Sequence, residues 1–178
     1  AQLAGISAEA FNDDSVTTAQ IAAFTTLQIR DLSKDQLNAL LLTGEVAGDR
    51  IAAIEAEDFS ALTTAQIKGL ASDFVQVLTT SQIIAFSTQQ IPILVSAQLN
   101  VLTATQIAAF ETRDIQMLTA SQSSSLSSDF VRALSTDAVP ALSVAALKSI
   151  VSAAPDVLTD GQLVLSDSQL ASISAVQF

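Results

Sequence analysis

The side chains able to do chemistry are few in kind and scattered along the chain. Two carboxylate groupings stand out. Asn12-Asp13-Asp14 offers oxygen donors of the type that hold calcium, and Glu55, Glu57 and Asp58 lie close enough in sequence for general acid–base work. The first lacks the spaced ligands, the glycine and the distal bidentate Glu of a calcium loop, so it reads as a solvated turn. The second lacks a partner of another chemical type and pocket-forming aromatics. It reads as negative charge at the start of a helix, facing the positive end of the peptide dipoles. Cys, His, Trp and Tyr are all absent, which removes thiolate and imidazole chemistry, disulfides, His/Cys metal sites and most stacking platforms. No catalytic, cofactor-binding or metal-ligating residue is assigned. The remaining hydroxyls and carboxylates are spread evenly where catalysis would converge them, so an enzyme is not expected.

The 178 residues carry a formal charge of -11 with 49% hydrophobic residues, and mean hydropathy is +0.48 with pI near 4.1. Such a chain can bury a core, and it would be repelled by a phosphate backbone, so nucleic acid is not an expected partner. Ser, Thr and Gln interrupt every apolar run well short of the ~18 residues that a membrane span needs. No basic region followed by an apolar stretch opens the chain as a secretion signal would. The sequence starts with AQLAGI and stops with SAVQF, both inside a repeat, as a mature fragment or a segment of a longer array would.

What must position these side chains is an eight-residue repeat. From Leu62 to Leu158 an aliphatic residue or Phe returns every eight positions, as Leu62, Leu70, Leu78, Phe86, Leu94, Leu102, Phe110 and onward. A second row runs through Ile67, Val75, Ile83, Ile91, Leu99, Ile107 and Ile115 to Val131, Val139 and Leu147, broken by Ser123 and Pro155. The array is read as one unit over 1–178, with phase slips near 12–16, 41–46 and 159–165.

A straight strand would send the two rows to opposite faces, because they are separated by three and five residues. One continuous helix fails as well, since eight residues overshoot two turns by about 80° and the stripe would wind away from any single core. The backbone must therefore bend once per octad. In Leu62-Thr63-Thr64-Ala65-Gln66-Ile67, Thr63 is a helix N-cap, Gln66 reaches back to its amide, and Leu62 packs on Ile67. This is a capping box with a hydrophobic staple. The same pairing recurs at Thr17/Gln20, Thr25/Gln28, Ser33/Gln36, Thr79/Gln82, Ser87/Gln90, Thr103/Gln106, Thr119/Gln122, Thr159/Gln162 and Ser166/Gln169.

Charge agrees with helix starts at those points. Asp35, Asp49, Asp73, Asp129 and Asp137 fall in the first half of their octads, and Arg30, Lys68, Arg132 and Lys148 at the sixth position. That position is expected to face solvent, as Gln76, Asn100 and Gln116 suggest. Pro92 and Pro140 also occupy it, and their units should be shorter or irregular.

Single-turn helices cannot stand alone, because nucleation costs more than one turn returns. Stacking of the apolar rows must hold them, which predicts an all-α solenoid of very short capped helices, one per octad. A β-solenoid is the alternative, but scarce Gly and Asn turn residues count against it, and it would leave the cap chemistry unexplained. Every Phe lies at octad position four, five or eight and is expected in the core. Phe74 and Phe130, which replace the capping Gln, are the two whose partial exposure would offer contact points. The abundant Ser and Thr read as caps ahead of glycosylation sites or an ice-facing ladder.

The units LTTAQIKGL, VTTAQIAAF, LTATQIAAF and LSKDQLNAL resemble the LTTAQIAAL-type octapeptide arrays of very large bacterial surface or secreted proteins, often labelled adhesin-like. The resemblance implies an extracellular or cell-surface structural protein: a stalk, a spacer or a filament subunit that self-associates or continues end to end. The alternative it implies is an adhesin-type module binding a protein, glycan or surface, with calcium assisting. The units SVAALKSI and VSAAPDVL depart from the pattern by losing the Gln.

Overall fold

The computed structural model describes residues 5–11, 16–41, 47–159, 162 and 164–171. The Asn12-Asp13-Asp14 turn and most of the first two phase slips lie outside the described residues, as do positions 160, 161 and 163 of the third. Within them every regular element is helical and no strand occurs, so the all-α reading holds and the β-solenoid does not. The chain divides into two compact units, Ala1–Leu94 and Val95–Phe178.

The first unit contains α1 (Ala8–Phe11), α2 (Thr18–Ala22), α3 (Thr26–Asp31), α4 (Lys34–Ala39), α5 (Ala47–Ala52), α6 (Ala56–Ser60), α7 (Thr64–Gly69), α8 (Ser72–Gln76), α9 (Thr80–Ile84) and a 3₁₀ turn at Ile91–Ile93. α2, α3, α4, α6, α7, α8 and α9 each begin after an extended cap residue, and each stops within about a turn and a half. Thr17, Thr25, Ser33, Thr63 and Thr79 each accept the N–H of the Gln three residues on and have that Gln's side chain on their own N–H. Five of the expected capping boxes are therefore present in this unit, while at Ser87/Gln90 only the Gln side chain on the Ser N–H is seen.

These helices stack at a fixed interval. α1 packs on α4, α2 on α5, α3 on α6, α4 on α7, α6 on α9, and α7 on the Pro92 turn. Each thus rests on the third helix after it. The core is built from octad positions four, five and eight, as in Gln66, Ile67 and Leu70, or Phe74, Val75 and Leu78. Phe59 and Phe86 meet edge to face at 5.7 Å between ring centroids. Gly69 lies so close to Lys34 that an added Cβ would come 2.7 Å from the lysine Cβ, which accounts for a glycine at this helix end.

The second unit contains α10 (Ser96–Leu99), α11 (Ala104–Ala108), α12 (Thr112–Gln116), α13 (Ala120–Ser123), α14 (Ser128–Ala133) and α15 (Val144–Ala153), with a further helical turn at 167–171. α11 packs on α14, and α13 on α15. The Pro140 octad between α14 and α15 forms turns over 136–141, so α15 is again the third octad after α13. Both proline octads lose their α-helix, as expected from a missing N–H and a restrained preceding residue.

One expectation needs correction. α15 is ten residues long and runs through the octad boundary at Ile150 into Ala153. At position 151, where a cap hydroxyl would start the next unit, stands Val151. The helix continues past it and ends just before Pro155.

Candidate functional site

The buried polar side chains gather at one octad position, the fourth. Gln36, Gln66, Gln82, Gln90, Gln98, Gln106, Gln122, Gln162 and Gln169 are all buried, although a cap requires no burial. Gln66 shows why. Its Oε1 accepts the Thr63 N–H at 2.7 Å and the Thr63 hydroxyl at 2.9 Å. Its Nε2 points the other way and donates to three carbonyls one coil earlier, Ile29 at 3.0 Å, Arg30 at 3.2 Å and Leu32 at 2.7 Å. Two amide hydrogens shared among three acceptors make a bifurcated donor at the C-terminal end of α3.

The arrangement repeats within each unit. Gln82 Nε2 donates to Ile51 and Ile54, each at 2.8 Å, and Gln90 Nε2 to Phe59 at 2.9 Å, Ser60 at 3.3 Å and Leu62 at 3.0 Å. In the second unit Gln162 Nε2 reaches Val131 at 2.9 Å and Leu134 at 2.8 Å, and Gln169 Nε2 reaches Pro140 at 3.2 Å and Leu142 at 2.9 Å. A helix leaves its first N–H groups and last carbonyls without internal partners. Gln66, Gln82, Gln90 and Gln162 each satisfy both kinds of orphan, at the N-terminus of their own octad and at the C-terminus of the helix one coil earlier. Packing on the third neighbour and bonding to the fourth means that each superhelical coil closes between three and four octads.

Asparagine supplies a second link. Asn38 Nδ2 donates to the Gly69 carbonyl and its Oδ1 accepts the Ala71 N–H, both at 2.8 Å. Asn100 does the same with Ser125 and Ser127, again at 2.8 Å for both bonds. The sixth-position residues Arg30, Lys68, Gln76, Gln116, Arg132 and Lys148 are exposed, as expected. Asn100 is also exposed yet spans two segments of backbone, a role its solvent-facing position did not reveal.

The carboxylates separate on inspection. Glu55, the cap residue of α6, and Glu57 in its first turn are exposed, while Asp58 is buried. It occupies the fourth position, and its Oδ1 has no hydrogen-bond partner. Asp114 of α12 occupies the same position, buried, with Oδ2 accepting the Glu111 N–H at 3.1 Å and Oδ1 3.8 Å from Arg113 Nε. Burial pushes the Asp114 carboxyl above its ordinary value of 3.8, against the Glu111 amide and the Arg113 guanidinium. Arg50, also at the fourth position and buried, donates Nη2 to the Phe11 carbonyl at 2.8 Å. Phe74 and Phe130 are buried too, so neither offers the exposed contact that losing the Gln had suggested.

Among the described residues no three acidic side chains converge in a way that would hold a metal ion, and no helix is long and apolar enough to cross a membrane. The concavities are open and shallow. One lies between α13 and α15, where Ala120, Ser124, Ala145 and Ser149 line a groove; another lies at the N-terminal end of the first unit.

Comparison with known proteins gives one match. Residues 51–88 and 107–144 fit the family model described as the ALTTAQ repeat. Over those two segments the chain is similar to the ALTTAQ repeat. No curated protein and no solved structure matches it. The ALTTAQ segments contain the fully formed boxes at Thr63/Gln66, Thr79/Gln82 and Thr119/Gln122. They also contain units in which the box is altered, at Asp58, Phe74, Asp114 and Phe130. What the ALTTAQ units share is the burial pattern of positions four, five and eight rather than an identical side-chain set.

Sequence reading found the glutamines but assigned them half their role. A signal for the other half was present. A capping box accepts Glu or Gln, and the helix dipole favours Glu. None of the five Glu stands three residues after a Ser or Thr, which agrees with a demand for a donor at that position.

Proposed function

We propose that the ALTTAQ array is a structural element of a bacterial cell surface or secreted protein, serving as stalk, spacer or self-assembling filament subunit. The observation that carries this reading is the glutamine link. It ties each coil to the one before through backbone carbonyls, so a new octad joins the array whatever its exposed residues are. Such a device favours extension and leaves the outward positions free to vary, which suits a spacer. Where an octad starts with Ser or Thr the hydroxyl serves as a cap, and the buried glutamines serve to join coils.

The experiment is negative-stain imaging of the purified chain with small-angle scattering, beside antibody labelling of intact source cells. Rods or fibres whose length grows with octad number, and label on unpermeabilised cells, support the proposal. Globular particles of constant dimension, or label only after permeabilisation, overturn it.

A further inference from the structure

We infer that Asp58 and Asp114, which stand where other octads carry the linking glutamine, are proton-operated coil links, closed when the carboxyl is protonated and open when it is ionised. This rests on the reading of the fourth-position amide as a link between coils and adds a control to it. Both side chains are sealed from solvent, at 1% and 0% exposure. In each, Oδ1 has no hydrogen-bond partner. Asp114 Oδ2 takes the N–H of its cap residue Glu111, as Gln66 Oε1 takes that of Thr63. The bond within the octad is kept, and an oxygen stands in place of the donating Nε2.

The register within the first unit gives what Asp58 faces. Gln66 donates to the carbonyls of Ile29 and Leu32. One uninterrupted octad earlier at both ends, Asp58 takes the place of Gln66, and Ile21 and Phe24, at the end of the α2 octad, take the places of Ile29 and Leu32. An ionised carboxyl there sets oxygen against carbonyl oxygen away from bulk water, whereas a protonated one has an O–H to donate. The surrounding charges are few. Glu55 and Glu57 share the Asp58 octad and are exposed; of the helices packed on α6, α3 ends in exposed Arg30 and Asp31, and α9 carries no titratable side chain. Arg113 and Glu111, the charged groups acting on Asp114, lie in its own octad, with Arg113 Nε 3.8 Å from Oδ1. Burial outweighs the guanidinium and the Glu111 amide and raises the Asp114 carboxyl above its ordinary 3.8. A carboxyl raised by folding stabilises the fold in acid, and that contribution is lost as pH rises through the raised value. Acid therefore tightens the array at these octads and neutral pH loosens it.

The test is thermal unfolding of the whole chain, followed by circular dichroism at steps from about pH 7 to about pH 4. Wild type is compared with Asp58→Asn, Asp114→Asn and the double variant. Asn matches a protonated Asp in size and keeps a donor at every pH. Gln66→Glu, which sets a carboxyl against carbonyls already seen in a link, is the control for the link itself. The expected result is that each Asn variant melts about 2–4 °C above wild type at neutral pH, that the two gains add, and that both shrink toward acid. Gln66→Glu is expected to melt below wild type at neutral pH and to recover in acid. Asn variants that melt with wild type at every pH, that melt below it at neutral pH, or that differ from it by a constant amount overturn this inference, and leave the link reading standing if Gln66→Glu behaves as expected. A Gln66→Glu that melts with wild type throughout overturns both.

Discussion

A primary amide can sit between the positive end of one helix and the negative end of another and suit both. Its oxygen takes the orphan N–H groups and its nitrogen gives to the orphan carbonyls, as Gln66 does between Thr63 and the end of α3. Carboxylates at the same position satisfy only the first demand. Asp114 is buried with a raised carboxyl pKa, caused chiefly by burial. The folded chain therefore holds that proton more tightly than the unfolded chain does. The stabilisation is complete below the unfolded value and is lost as pH rises through the folded one. Asp114→Asn is expected to melt higher than wild type at neutral pH, with the difference shrinking on acidification. Melting temperatures measured from acid to neutral pH check this, and a variant that melts lower at neutral pH would count against it. The exposed Arg113–Glu111 pair, at 2.8 Å, is expected to contribute little because solvent screens it.

Single-turn helices exist here only because their ends are finished and their rows are stacked. Thr63→Ala removes one cap acceptor and is expected to cost about 1 kcal/mol, read from the urea midpoint. Ser123 occupies the row position that elsewhere holds Ile, Leu or Val. It is buried with an unpartnered hydroxyl, and its neighbour in the other row, Leu126, is only half-buried. Ser123→Val removes the orphan group and restores apolar packing, with an expected gain of about 1–2 kcal/mol in the same experiment. A loss of stability would mean that the hydroxyl has an essential partner. Element boundaries were legible in the sequence because Thr63, Pro92 and Pro140 act locally, through a cap or a fixed φ. The fusion across Ile150 is visible only once Val151 is read as a missing stop.

At the scale of the whole molecule, the apolar rows of Leu62 and Ile67 announce a stacked array but not how many octads make a coil. That number depends on the bend between successive helices, which no single residue type encodes. The register of the glutamine bonds fixes it within each unit, from Gln82 back to Ile51 and from Gln162 back to Val131. The donor role of Gln, likewise, had only an indirect trace in the sequence, the absence of Glu from every box. Stability in such an array is a sum of unit and neighbour terms, so cutting one link should be felt wherever two coils share it and nowhere else. The decisive measurement is urea unfolding of Gln66→Glu beside Gln20→Glu. Both substitutions preserve a capping box, but only the first places a carboxylate against the carbonyls of Ile29, Arg30 and Leu32. A two-ended cap predicts a loss of about 3 kcal/mol for Gln66→Glu at neutral pH, partly recovered in acid as the new carboxyl gains a proton to donate, and a loss below about 0.5 kcal/mol for Gln20→Glu. Equal and small losses for the two would contradict it.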